Sequence, residues 1–187
     1  MNKKLAVIVG SLRKESFSRK LAKVLMQVSA DTIDSEIVEI GELPIYNQDF
    51  DDHNNVPAAY TTFRDKMQGF EAVLFVTPEY NRSVSGVLKN AIDVGSRPYG
   101  KSIWDKKPAA IVSSSPGSIG GFGANQAIRQ SLVFLNMPCL QMPEAYISNV
   151  AALFDDKGNL INDSTKDFLA KFMQTFASWI NTNTVKG

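Results

Sequence analysis

Three short stretches of this chain hold residue types that could do chemistry. The first is Gly10-Ser11-Leu12-Arg13-Lys14-Glu15-Ser16-Phe17-Ser18, which follows the apolar run Leu5 to Val9. It leads into apolar residues at Leu21, Val24, Leu25 and Val28, the spacing of one helical face. A small, hydroxyl-rich loop between a buried strand and a helix start suits a phosphate group. Free backbone N–H groups point outward there, the helix dipole favours negative charge, and serine hydroxyls add donors. Arg13 can add a forked cationic donor. The spacing matches neither the G-x-x-x-x-G-K-[ST] loop of triphosphate binders nor the G-x-G-x-x-G fingerprint of dinucleotide binders. A monophosphate fits it best.

The second stretch is Thr77-Pro78-Glu79-Tyr80-Asn81-Arg82-Ser83-Val84-Ser85-Gly86. Pro78 cannot donate to a ladder and so closes a strand. Tyr80 offers a flat apolar face, and Asn81 with nearby N–H groups can pair with the polar edge of a heteroaromatic ring. The third, Ser113 to Gly123, is dense in glycine, which lets backbone approach a ligand closely. Its N–H groups could meet ring carbonyls that gain negative charge on reduction. Each stretch alone is compatible with an ordinary turn. Arg97, in Gly95-Ser96-Arg97-Pro98, is either a solvated helix end or a substrate contact. His53, beside Asp49, Asp51 and Asp52, matches no metal-ligand spacing and reads as part of a solvated acidic loop. Cys139 lies in an apolar run and reads as a core residue.

The elements that must position these loops alternate between strand and helix. Strands are expected near 4–9, 35–40, 71–77, 108–114 and 138–147, and helices near 17–30, 57–68, 84–96, 121–135 and 164–181. Ala72 to Val76 and Ala109 to Val112 are apolar without alternation, as in parallel strands covered on both faces. Ser35 to Ile40 carries charge and suits an edge strand. Phe168, Leu169, Phe172, Met173, Phe176, Trp179 and Ile180 form one helical face, and Ser164 with Asp167 resembles a capping box. Five βα units with right-handed crossovers build an open doubly wound sheet, α/β in class. Ligands of such sheets bind beyond the carboxyl ends of the strands, where strand order reverses. That rule selects the loops 10–18, 77–85 and 113–123.

The length of 187 residues suits one domain, 1–187. A net charge of +1 gives no electrostatic reason to expect nucleic acid or an anionic membrane as partner. One cysteine and one histidine exclude an internal disulfide and argue against a structural zinc site. The N-terminus lacks the long apolar core of a signal peptide, and no run approaches the roughly 20 apolar residues of a membrane span. A cytoplasmic protein is expected.

Gly10-Ser11-x-Arg13-x-x-Ser16, Pro78-Glu79-Tyr80-Asn81, Leu88-Lys89-Asn90-Ala91-Ile92-Asp93 and the Gly120-Gly121 segment together resemble the NADPH-dependent FMN reductases. The similarity is greatest to the chromate/quinone reductase and azoreductase branch, and runs from Leu5 to about Ile147. It implies a flavodoxin-like fold of three α/β/α layers with strand order 2-1-3-4-5. It also implies non-covalent FMN, NADPH or NADH as co-substrate, and a homodimer or tetramer. By position, Ser11, Arg13, Ser16 and Ser18 would hold the FMN phosphate. Pro78, Glu79, Tyr80 and Asn81 would line the isoalloxazine, with Ser115 and Gly117 at its pyrimidine edge. Arg82 stands where a smaller or aromatic residue is expected in several relatives; with Arg97 it is a candidate substrate contact. The implied activity passes hydride from nicotinamide through FMN to quinones, free flavin, azo compounds or chromate. The cofactor carries that chemistry, so no obligatory side-chain acid or base is expected. The alternative is a flavodoxin-type electron carrier, against which the near-neutral charge argues.

Overall fold

Apolar residues in β1 (Lys3–Val9), β3 (Ala72–Pro78) and β4 (Ala109–Ser114) alternate between two cores, one on each face of a single sheet. Leu5, Val7, Val9, Leu74, Val76, Ala110 and Val112 pack on one face, against α1 (Phe17–Val28) and α6 (Asp163–Asn183). Ala6, Ile8, Val73, Phe75, Ala109 and Ile111 pack on the other, under α3 (Ala58–Gln68), α4 (Gly86–Gly95) and α5 (Phe122–Phe134). With β2 (Ile33–Ile37) and β5 (Ala145–Ile147) the sheet has five parallel strands in the order β2-β1-β3-β4-β5. Burial on both faces explains why the central strands read as unbroken apolar runs. The computed structural model describes residues 2–29 and 31–184.

Chain order reverses between β1 and β3, so the expected crevice lies where the loops after those strands meet. The charged second strand is indeed an edge. It starts and stops earlier than expected, at 33–37, although Val38 still donates to Val7 O at 2.9 Å. The fifth strand is shorter than expected. Cys139 makes one isolated bridge to Ala109, and only 145–147 form a continuous ladder. Pro138 and Pro143 have no N–H to give, so the apolar run cannot pair throughout. Cys139 is accordingly half-buried rather than deep in a core strand, and burial pushes its thiol pKa up.

Two other local expectations change. The cap of α6 is Asn162, whose side-chain oxygen accepts from Thr165 N at 2.9 Å and from Ser164 Oγ at 2.8 Å. Ser164 therefore sits inside the first turn, not at the cap. The acidic stretch near His53 forms a short helix, α2 (Asp49–Asp52), and is not wholly solvated. Asp51 makes a two-point pair with Arg64 at 2.8 and 2.9 Å, and Arg64 Nε donates to Val94 O, tying α2 and α3 to α4. His53 is exposed, and no metal-binding group of His, Cys, Asp and Glu occurs among the described residues. No helix among them is long and apolar enough to cross a membrane.

Candidate functional site

The loop after β1 is held open from its two ends. Gly10 N donates to Val76 O at 2.8 Å, and Ser85 Oγ donates to Gly10 O at 2.6 Å, both against β3 and its following loop. A Cβ on Gly10 would stand 2.8 Å from Thr77 Oγ1 and 3.0 Å from Ser85 Oγ, so only glycine permits this approach. At the far end Ser16 caps α1: its Oγ accepts from Arg19 N at 3.2 Å. Between these anchors no hydrogen bond among the described residues takes the N–H groups of Ser11 to Ser16. The first N–H groups of α1 are free of helical partners by geometry. Ser11 and Ser18 are buried residues, yet their hydroxyls make no hydrogen bond among the described residues. Arg13 is exposed beside them. Unpaired donors converging on a helix N-terminus are what a phosphate requires.

The loop after β3 closes as a tight hairpin. Tyr80 and Ser83 exchange backbone hydrogen bonds at 3.1 and 3.0 Å, and Asn81 and Arg82 both take positive φ, at 50° and 65°. Those angles define a type I′ turn, in which asparagine is at home and arginine is strained. Tyr80, Asn81 and Arg82 are exposed at its tip; Pro78 is half-buried at its base. Glu79 turns its side chain inward. Its side chain is only 9% exposed, one oxygen accepting from Ala124 N at 3.2 Å and the other lying 3.2 Å from Arg82 Nη1. Its carboxylate faces the N-terminus of α5, where the dipole favours it.

The loop after β4 is stitched internally. Ser113 Oγ donates to Gly120 O at 3.0 Å, and Ser115 Oγ to Gly117 O at 3.1 Å. Gly120 and Gly121 take positive φ, and a side chain on Gly120 would strike the Tyr146 backbone. Gly117 is exposed, and its N–H has no partner among the described residues. Behind this loop the Phe122 and Tyr146 rings lie 5.4 Å apart, and Gln126 donates to the Tyr146 hydroxyl. Burial raises the Tyr146 pKa, so it stays a neutral phenol near pH 7.

The structure thus brings Ser11, Arg13, Ser16, Ser18, Pro78, Glu79, Tyr80, Asn81, Arg82, Ser115 and Gly117 to one edge of the sheet. Arg97 is not among them. It follows the far end of α4, about 15 Å of helix from the second loop, and its guanidinium leans on Ser96 Oγ at 3.2 Å. A cavity of about 710 Å³ lies at the opposite, N-terminal edge, bounded by Lys4, Met26, Ile33 and Asp34. Reading the sequence missed Gly10, Ser85 and Gly123 as seating residues. The two glycines showed themselves only as loop punctuation, and the Ser85 partner lies 75 residues away.

Fold and site together define a flavodoxin-like domain whose three carboxyl-end loops meet at its switch point, the first of them with N–H groups left without partners among the described residues. A flavodoxin from Pseudomonas aeruginosa shares the fold at a TM-score of 0.58, with 12% identity over 95% of this chain and 99% of its own. The model of the NADPH-dependent FMN reductases matches residues 3–152, and the chain belongs to that family. It is 59% identical to a quinone reductase of Pseudomonas putida, covering 96% of this chain and 95% of that one. Identity to a 2-hydroxy-1,4-benzoquinone reductase of a Burkholderia species is 40%, over 95% and 96% of the two chains. The solved structure of FerB, a flavoenzyme NAD(P)H:(acceptor) oxidoreductase from Paracoccus denitrificans, superposes at a TM-score of 0.91 with 39% identity, over 98% and 100% of the two chains. The family, the enzymatic class and the pairing of FMN with NAD(P)H implied by the motifs are borne out.

Proposed function

We propose that the chain, acting as one domain over 1–187, is a cytoplasmic quinone reductase that oxidises NADPH or NADH. Free flavin, azo compounds and chromate are further acceptors in this reading. The single observation that carries it is the cradle at residues 11–18, whose unpaired N–H groups and hydroxyls fit a flavin phosphate. Bound FMN would supply hydride chemistry that no side chain here can supply. Ser11, Ser18 and the loop N–H groups hold the phosphate, with Arg13 as cation. Ser16 adds its hydroxyl proton, since its oxygen already caps α1. Tyr80, Asn81 and Pro78 bound the ring, and Ser115 and Gly117 stand at its pyrimidine edge. Arg82, at the rim, meets the second substrate.

The protein's contribution is to bind, orient and exclude water; nicotinamide and acceptor use the same open ring face in turn. Leu12, Tyr80, Ile119 and Phe122 leave apolar surface exposed around that face. This supports a homodimer or tetramer in which a second copy walls the pocket. In this reading Arg97, at the far end of α4, meets the substrate of a second copy. The rival reading, an electron carrier, is favoured by the fold alone. Steady-state oxidation of NADPH by the FMN-loaded protein with a free quinone separates the two. Turnover supports the reductase; a flavoprotein inert to NADPH supports the carrier.

A further inference from the structure

The second loop is the one expected to frame the ring, yet little within it fixes its position relative to the third. Two contacts with the start of α5 do so. A Cβ on Gly123 would lie 2.5 Å from Arg82 O, 3.1 Å from Arg82 C and 3.0 Å from Glu79 Oε2. Beside it, Glu79 Oε2 accepts from Ala124 N at 3.2 Å. The hairpin carbonyl therefore rests on the one position of α5 that has no side chain, and the buried carboxylate pins it there. Arg82 holds a positive φ that costs a non-glycine residue energy, and this persists only where surroundings over-determine it. The two Tyr80–Ser83 hydrogen bonds fix the turn, and the Gly123 contact seats it against α5.

We propose that Gly123 is a positioning residue for the reaction. Its bare backbone seats the 80–83 hairpin, with Glu79 as the latch, so that the ring loop and the glycine loop form one rigid frame. This rests on the reading that Tyr80 and Asn81 bound the flavin ring. Gly123 itself touches neither substrate nor ring and acts only through the hairpin. Restoring a normal contact to a Cβ would push the hairpin back by roughly half an ångström to one ångström. Displacements of that order at a reacting pair cost up to about 10²-fold in rate.

The test is Gly123→Ala in the FMN-loaded protein, compared with wild type. Expected for Gly123→Ala is a fall of at least about tenfold in the rate of flavin reduction by NADPH. FMN affinity should stay within about threefold, because the phosphate cradle is untouched. A shift in the visible flavin absorption bands should report the moved loop. A Gly123→Ala protein with wild-type reduction rate and flavin spectrum overturns the proposal. So does one whose thermal stability falls while both stay unchanged, since that is a merely structural role. If the wild-type protein itself binds no FMN, the functional reading fails instead, and the two failures are distinct.

Discussion

Replacing Ser85 by Ala removes the hydroxyl that joins the first two loops. Ser85 is fully buried, and its Oγ donates to Gly10 O at 2.6 Å, the only hydrogen bond to that carbonyl among the described residues. Alanine leaves a small space and a buried carbonyl without a donor. Leaving such a group unsatisfied costs about 1–3 kcal/mol, far more than the net worth of an average exposed hydrogen bond. A central value of about 2 kcal/mol corresponds to a fall in Tm of roughly 4–8 °C for a chain of this size. Scanning calorimetry on the apo-protein reads this directly. The same measurement at saturating FMN should show a similar fall, because Ser85 lies behind the loop and does not touch the phosphate. An unchanged Tm in the apo-protein would mean that Gly10 O has another donor and that the two loops are not joined here. A fall seen only with FMN present would place Ser85 in the ligand's own contacts instead.

Arg13→Ala should weaken FMN binding about tenfold, an effect that shrinks as salt is raised because Arg13 is exposed; fluorescence titration of apo-protein checks it, and unchanged affinity would place the phosphate elsewhere. The double substitution of Tyr80 and Asn81 by Ala should keep measurable FMN but slow flavin reduction at least about tenfold in stopped flow. Lys107 donates to Met67 O and Phe70 O at the end of α3, and burial lowers its pKa from 10.5 to about 8. The unfolded chain therefore holds a proton there between pH 8 and 10.5 that the folded chain releases, so this group adds stability as pH rises through that window. The Tm of wild type relative to Lys107→Met should accordingly increase from pH 7 to pH 10, and a flat difference would contradict the assignment.

What could be read from residue order was whatever one-dimensional pattern encodes. β1, β3 and β4 were legible because burial on two faces leaves an apolar run, and α6 because Leu169, Phe172, Met173, Phe176 and Ile180 repeat on one face. The crevice followed from topology. The fifth strand was overextended because apolarity at 138–142 masked the missing N–H groups of Pro138 and Pro143. The partners of polar groups were not legible. Asp51 reads as solvated, but the fold brings Arg64 to it, and the Ala124 N–H that Glu79 accepts from lies 45 positions on. Gly123 gave no signal either, since its reason is the Arg82 carbonyl across the crevice.

The central claim is that this chain holds FMN in the 11–18 cradle and itself lets nicotinamide reduce it. Anaerobic titration of the purified, FMN-incubated and desalted protein with NADPH, followed through the visible flavin absorbance, tests that most directly. Expected is a yellow protein carrying about one FMN per chain, bleached by one equivalent of NADPH and recoloured by adding a quinone. A protein that leaves the desalting column colourless, or a bound flavin that NADPH cannot bleach, would contradict the claim.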